Sequence, residues 1–213
     1  MNSVESTGKN PFPGSILVAQ ESSPWTTLGS LTVYDGPLFA VRQDQAHNDQ
    51  AGVRPYTWLR FKVVGIAVLP VDDEGNTYLI GQHRYPVGQF TWELVRGAGD
   101  LGQPEDSARR ELSEETGFTA KSWMKVLDIR PSAGISDETA PCFIAWGLTQ
   151  NAAHPDPQEK LRIRRVPLKD AVQEVLTGQI RDACSSALIL AAYVRFLRGE
   201  LPADLAALFR RGI

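Results

Sequence analysis

The segment Arg110-Glu-Leu-Ser-Glu-Glu-Thr-Gly-Phe118 constrains this chain more than any other. Each residue of an α-helix advances by about 100°, so Glu111, Glu114 and Glu115 fall within an arc of about 100° on one face. Three carboxylates this close repel one another, and a helix gains nothing from them unless something positive sits between. Magnesium and manganese prefer carboxylate oxygen, and magnesium completes a shell of few carboxylates with phosphate oxygens of a substrate. Arg110, four residues before Glu114, is placed to pair with that carboxylate and orient it. The helix also has ends. Pro104 suits the first helical position, Glu105 and Asp106 the first turn, and Gly117 the position just past the last turn. Ala108 and Leu112 face the same way and can dock the helix on a sheet. A solvated acidic face is the ordinary reading of paired glutamates. A glycine-rich stretch before this helix and Gly117-Phe118 directly after it set this one apart.

The segments around the helix alternate in type. Leu31–Tyr34 and Leu38–Arg42 read as short strands around the turn Asp35-Gly36-Pro37, and 43–54 as a polar loop. Trp58 to Pro70 reads as one strong strand. Asp72–Asn76 is a turn leading to a partner strand at Thr77–Ile80, a hairpin with a long loop. Residues 81–103, rich in glycine, proline and large polar side chains, read as a loop, the usual place for function. Strands follow at 124–129, 142–148 and 161–166, with a polar loop at 149–160. Helices follow at 168–177, 181–198 and 202–210. This mixed order predicts an α/β sandwich with a mixed sheet rather than a doubly wound parallel sheet. The expected organisation is a flexible leader over 1–24, an N-terminal β segment over 25–58, and a main domain over 59–213.

Bulk properties exclude some classes. The 213 residues are 42% hydrophobic and 22% charged, with a net charge of −3. Without a basic tract to neutralise many phosphates, wrapping of DNA or RNA is not expected. A small phosphorylated metabolite is compatible, because a bound cation can supply positive charge. No stretch reaches the roughly 18 apolar residues of a membrane span. The start of the chain lacks the basic and apolar runs of a signal peptide, so a cytoplasmic location is expected. Cys142 and Cys184 have neither a metal spacing nor a disulfide pattern and read as two buried thiols.

The 110–118 segment resembles the second half of the Nudix box, which runs Arg-Glu-aliphatic-x-Glu-Glu-x-Gly-aliphatic. The first half departs. Gly97, in Trp92-Glu-Leu-Val-Arg-Gly97, best matches the opening glycine, but the spacing to Arg110 is one residue short. The expected intermediate glutamate falls on Gln103 or Gly102. Further segments resemble the ADP-ribose and nucleoside diphosphate sugar pyrophosphatases of that superfamily: Gln82-His-Arg84-Tyr-Pro86, Trp92-Glu93-Leu94, Pro131 to Glu138, and Gly178-Gln-Ile-Arg-Asp182-Ala. Val95-Arg96 stands where many such enzymes have Pro-Ala. The resemblance covers about residues 60–198.

The resemblance implies a Nudix-type α/β/α sandwich with a mixed sheet, joined to a small antiparallel β segment. It implies hydrolysis of the pyrophosphate of a nucleoside diphosphate linked to another moiety, with Mg2+ or Mn2+. Glu111 and Glu115 would be the first-choice ligands, with Glu114 sharing or acting through water. The carbonyl of Arg96, before Gly97, would complete the shell. Arg84 would contact the diphosphate or its ribose, where a guanidinium suits phosphate geometry, and Arg96 and Gly97 would line the substrate. Arg110 and Gly117 would be structural. The general base is open between Glu159, at the end of the 149–160 loop, and Glu138. Glu93 either accepts a hydrogen bond from substrate or metal-bound water, or caps the loop backbone. The aromatic-rich 25–58 segment predicts a homodimer. Two rival readings stay open: a Nudix enzyme of triphosphate or dinucleotide clean-up, and a nucleotide sensor without catalysis. The 25–58 segment and Gly178–Asp182 weigh against the first, and the three retained glutamates against the second.

Overall fold

The computed structural model describes residues 22–151 and 161–213. Among these there are ten strands and four helices, seven strands preceding the first helix. Three strands, β1 (Trp25–Asp35), β2 (Phe39–Asn48) and β3 (Gly52–Phe61), form one sheet in that order. The segment 43–54, expected as a loop, is mostly strand. β2 runs on to Asn48, and a tight turn closed by Ala51 N–H to Asn48 O leads straight into β3. The chain divides into two compact units. One contains the described residues up to Ser30 together with Asp44–Tyr56, and the other contains Leu31–Gln43 and the described residues from Thr57 onward. In the smaller unit Trp25 and Tyr56 meet edge to face with centroids 5.9 Å apart.

The larger unit is built on two further sheets. The first has the order β7-β4-β9-β8, from β4 (Val64–Val71), β7 (Val95–Gly99), β8 (Phe118–Ile129) and β9 (Ala140–Gln150). β4 and β9 run parallel and the other pairs antiparallel, so the sheet is mixed. The second has the order β10-β5-β6, from β5 (Asn76–Arg84), β6 (Gln89–Glu93) and β10 (Arg162–Pro167), and is antiparallel.

Alternation along β4 fills both faces of the mixed sheet. Ile66 and Val68 pack with Ala108 and Leu112 of helix α1 (Pro104–Thr116). Ala67, Leu69 and Val71 point the other way, into the core shared with α2 (Leu168–Leu176), α3 (Ala183–Leu197) and α4 (Ala203–Gly212). Helices thus cover both faces, the α/β/α sandwich expected from the sequence. Ala108 and Leu112 are fully buried, as their shared face predicted. Burying a leucine is worth roughly 1.5–3 kcal/mol, enough to seat a helix whose outer face is acidic.

Three further sequence expectations need correction. The strand expected from Trp58 to Pro70 breaks at Lys62-Val63, which separates β3 from β4. β4 and β5 do not form a hairpin, since they belong to different sheets. The Asp72 carboxylate accepts from the N–H groups of Glu74 and Asn76, from Tyr78 Oη and from Arg165 Nε. Those bonds hold the turn by side chain, so it needs no ladder on both sides. The stretch 81–103 is not one loop but the end of β5, then β6 and β7, with loops at 85–88 and 100–103. Gly88 turns the chain at φ 66°, but the strand glycines serve contact: a Cβ on Gly81 would strike Phe90 and Trp92, and one on Gly99 would strike Ile66 and Ser107.

Candidate functional site

α1 begins with Pro104 in the first turn and ends at Gly117, which takes the left-handed conformation (φ 74°) and returns its N–H to Ser113 O. This is the predicted stop, and glycine adopts it without the Cβ penalty. The short connection from β7 closes without the glutamate expected there. Gly102 N–H donates to Asp100 Oδ1 at 2.7 Å, Asp100 N–H donates to Ser107 Oγ at 3.0 Å, and Ser107 Oγ donates to Gln103 O at 3.2 Å. Asp100 and Ser107 therefore organise this loop.

Glu111 and Glu115 are both buried, whereas the Glu114 side chain is 41% exposed. Arg110 ties the acidic face together. Its guanidinium donates to Glu114 Oε2 and Glu111 Oε1, each at 2.6 Å, and to Ala98 O at 2.9 Å. The predicted Arg110–Glu114 pairing is present. The contact to the carbonyl of Ala98, which fastens the helix to β7, had no sequence signal. Gly97 faces the same helix, and a Cβ there would land inside the Glu111 carboxylate. Glycine at 97 is thus required by close approach.

Arg96 precedes Gly97 in the strand and so points to the opposite face. There its Nη1 meets Asp182 Oδ2 at 3.2 Å, and its Nη2 and the Glu138 carboxylate lie together over Gly65. β7 pairs with β4 alone and is the sheet edge. The predicted site therefore straddles an edge strand, with the acidic residues on the α1 side and Arg96, Asp182 and Glu138 on the α3 side. Arg84, at the end of β5, relates the two. It holds Glu93 through Nε and Nη2 at 3.0 and 2.6 Å, and it feels the charges of both Arg96 and Glu115.

Glu93 accepts from Arg84 and, at 2.7 Å, from Thr91 Oγ1. Burial pushes its carboxyl up, but the bonds from Arg84 and Thr91 and the charges of Arg84 and Arg96 outweigh that and hold it below the ordinary 4.5. For Glu138, burial dominates and raises the carboxyl despite the charge of Arg96. Glu159 lies outside the described residues. His83 is exposed on β5, and His47 sits 3.7 Å from Asp49. Behind Arg96, Cys142 and Cys184 are buried free thiols, as expected, and Cys142 Sγ donates to Ala140 O at 3.3 Å. Their mutual influence pushes Cys142 up and Cys184 down, the latter assisted by the charge of Arg96.

The donor set on the α1 side is carboxylate and carbonyl oxygen, which fits a hard cation of the magnesium class. Among the described residues no three acidic, histidine or cysteine side chains converge as a finished cage. The Glu111 and Glu114 carboxylates turn to Arg110 rather than to a shared centre. Two participants escaped sequence reasoning. Thr91 carries no local signal. Ser185 was legible only as the third residue of α3 after the cap Asp182, a capping pattern whose other use is tertiary.

The chain is similar to proteins of known activity. The chain is 31% identical over 176 residues to an ADP-ribose pyrophosphatase of Mycobacterium tuberculosis (strain ATCC 25618 / H37Rv), covering 78% of this chain and 82% of that one. It is 36% identical over 121 residues to an ADP-ribose pyrophosphatase of Bacillus subtilis (strain 168), covering 55% and 65% respectively. A crystal structure of an ADP compounds hydrolase superposes with a TM-score of 0.74 at 19% identity, over 86% of this chain and all of that one, a likeness of fold. The NUDIX domain profile matches residues 61–186, from the end of β3 into α3 and well over half of the chain, and the chain therefore belongs to the NUDIX family.

Proposed function

We propose that this protein hydrolyses the diphosphate of a nucleoside diphosphate linked to another moiety, ADP-ribose foremost, giving a nucleoside monophosphate and a sugar phosphate. One observation carries the reading: consecutive positions of an edge strand present an acidic oxygen-donor face and a guanidinium face, with Arg84 electrically coupled to both. A diphosphate needs both. The names of the relatives point to the same substrate class.

Glu111 and Glu115 would hold Mg2+ or Mn2+, with Glu114 alongside. The chemistry supplied by such a cation is neutralisation of the diphosphate oxygens and activation of a water. Arg84 and Arg96 bind and orient the substrate, since a planar fork of N–H donors matches phosphate oxygens. Glu93 holds Arg84 in place through two bonds. Gly97 keeps the strand close enough for Glu111 to lie flat against it, while Arg110 and Gly117 fix the helix itself. Glu138 would be the base that takes a proton from water, since burial raises its carboxyl above the ordinary carboxylate value and so makes it the stronger proton acceptor. Glu159 is the alternative base.

The β1–β3 sheet leaves Leu28, Leu31, Val33 and Val53 more than half exposed. Apolar strand faces of this kind are covered by association, and the occupant we propose is a second copy of the chain. No helix among the described residues is long and apolar enough to cross a membrane, and two free buried thiols suit a reducing cytoplasm.

The test is turnover by the purified protein with magnesium, using ADP-ribose, other nucleotide sugars, dinucleoside polyphosphates and triphosphates. Release of AMP from ADP-ribose at the highest kcat/KM is expected. Preference for triphosphates, or tight binding of one compound without turnover, overturns the reading. Size-exclusion chromatography with light scattering should return twice the 23.4 kDa chain mass.

A further inference from the structure

Leu94 is where the chain leaves one sheet for the other. β6 ends at Glu93, β7 starts at Val95, and Leu94 is the bend between. Its N–H donates to Ser185 Oγ at 2.9 Å, 91 residues away on the first turn of α3. Ser185 is fully buried. Its hydroxyl donates in turn to Asp182 Oδ2 at 2.7 Å, and its N–H donates to the same oxygen at 2.7 Å. That oxygen also receives Arg96 Nη1. Both ends of Arg96 are thereby referenced to one helix turn. The backbone is held two residues away through Leu94, and the guanidinium directly through Asp182.

We propose that Asp182 and Ser185 are positioning residues for substrate binding: they aim Arg96 at the diphosphate-bearing ligand and fix the bend that carries Glu93 and Arg96. The inference rests on the diphosphate-hydrolase reading above. A guanidinium presents five N–H donors in one rigid plane, so anchoring one corner sets the direction of the others. A carboxylate that already accepts two bonds from a helix turn cannot follow a wandering arginine. A loose Arg96 would still carry charge, yet it would spend binding energy on being ordered. The consequence falls on ground-state affinity more than on the chemical step.

Asp182→Asn separates this role from helix capping, because asparagine caps a helix about as well as aspartate. It keeps the cap and removes the charge that holds Arg96. With the diphosphate that the wild type turns over best, D182N is expected to raise KM about tenfold while kcat stays within a factor of about 3. Arg96→Ala should raise KM by a similar factor. The double variant should be no worse than R96A alone, since the two act as one unit. Calorimetric binding of the same ligand without metal should weaken in parallel, a readout independent of turnover. Multiplicative KM effects in the double variant overturn the proposal, as does a D182N enzyme with unaltered KM. A wild type that hydrolyses no diphosphate in the panel removes the functional reading and this inference with it. Turnover by the wild type with an unaltered D182N removes the inference alone.

Discussion

Gly97→Ala tests the site with a single methyl group. The new Cβ would occupy the volume of the Glu111 carboxylate. Ordinary contact between carbon atoms is about 3.5 Å, so the carboxylate must retreat by on the order of 1.5 Å or the strand must bow away from α1. Neither is cheap. Glu111 is 9% exposed and Arg110 grips it at 2.6 Å, while β7 is laddered to β4 at this position through Ile66. Overpacking of this kind costs about 1–3 kcal/mol of stability. Misplacing a group in an active site by about 1 Å costs on the order of 100-fold in rate. G97A should therefore fold, with a melting temperature lowered by several degrees, and should lose about 100-fold in kcat/KM. Its apparent affinity for magnesium should fall as well. Circular dichroism melts, steady-state kinetics on ADP-ribose and a magnesium titration of the rate measure the three effects. Wild-type kinetics and magnesium dependence in folded G97A would show that Glu111 takes no part in the reaction.

Two further perturbations probe the frame. Burial pushes the Asp72 carboxyl up, but the bonds from Arg165 and from the N–H groups of Asn76 and Glu74 outweigh it and hold it below its ordinary 3.8. A lowered folded-state value contributes stability that is fully present above 3.8 and lost as pH falls through the lower value. Asp72→Asn should thus cost roughly 1–3 kcal/mol at pH 7 and flatten the stability curve below pH 4; denaturant melts across that range that run parallel for both proteins contradict the assignment. Cys142 and Cys184 are 0% and 1% exposed, so neither should react with Ellman's reagent in the native protein within minutes, and both should react after unfolding. A native thiol that reacts promptly would mean that the start of α3 opens far more readily than its packing implies.

Local features were legible in the sequence where local physics decides them. Pro104, Gly117, Ala108 and Leu112 placed α1 and its buried face, because capping and helical periodicity act within a few residues. The same reasoning fails at 81–103, where the glycines read as part of a loop and only the 85–88 turn with Gly88 and the 100–103 loop answer to that. Gly81, Gly97 and Gly99 are instead strand residues that admit Trp92, Glu111 and Ile66 respectively. A sequence does not distinguish a glycine chosen for its φ from one chosen for lack of a side chain. The β4–β5 hairpin failed for a related reason. Asp72 satisfies the turn by itself, and the partners that β4 takes are β7 and, more than 70 residues on and parallel, β9. The placement of the three glutamates on one helix and of Arg84 at a strand end was legible from the chain alone. The pairing of Arg84 with Glu93 and the role of Ser185 were not, because each depends on strands and helices meeting across the fold.

The placement of Arg96 and Gly97 at adjacent positions of β7 carries a consequence for how this protein can go wrong. Side chains alternate along a strand, so a slip of β7 by one residue along β4 exchanges its faces. Arginine would then press into the helix that glycine now admits, and the opposite face would hold glycine where a cation belongs. Small hydrophobic residues tolerate such a shift better than these two do, and a slipped molecule would keep most of its helices and sheets. Spectroscopy would score it as native. A slipped fraction would therefore be folded yet inactive, and a one-residue insertion or deletion beside Leu94 should be more damaging than most substitutions in the core.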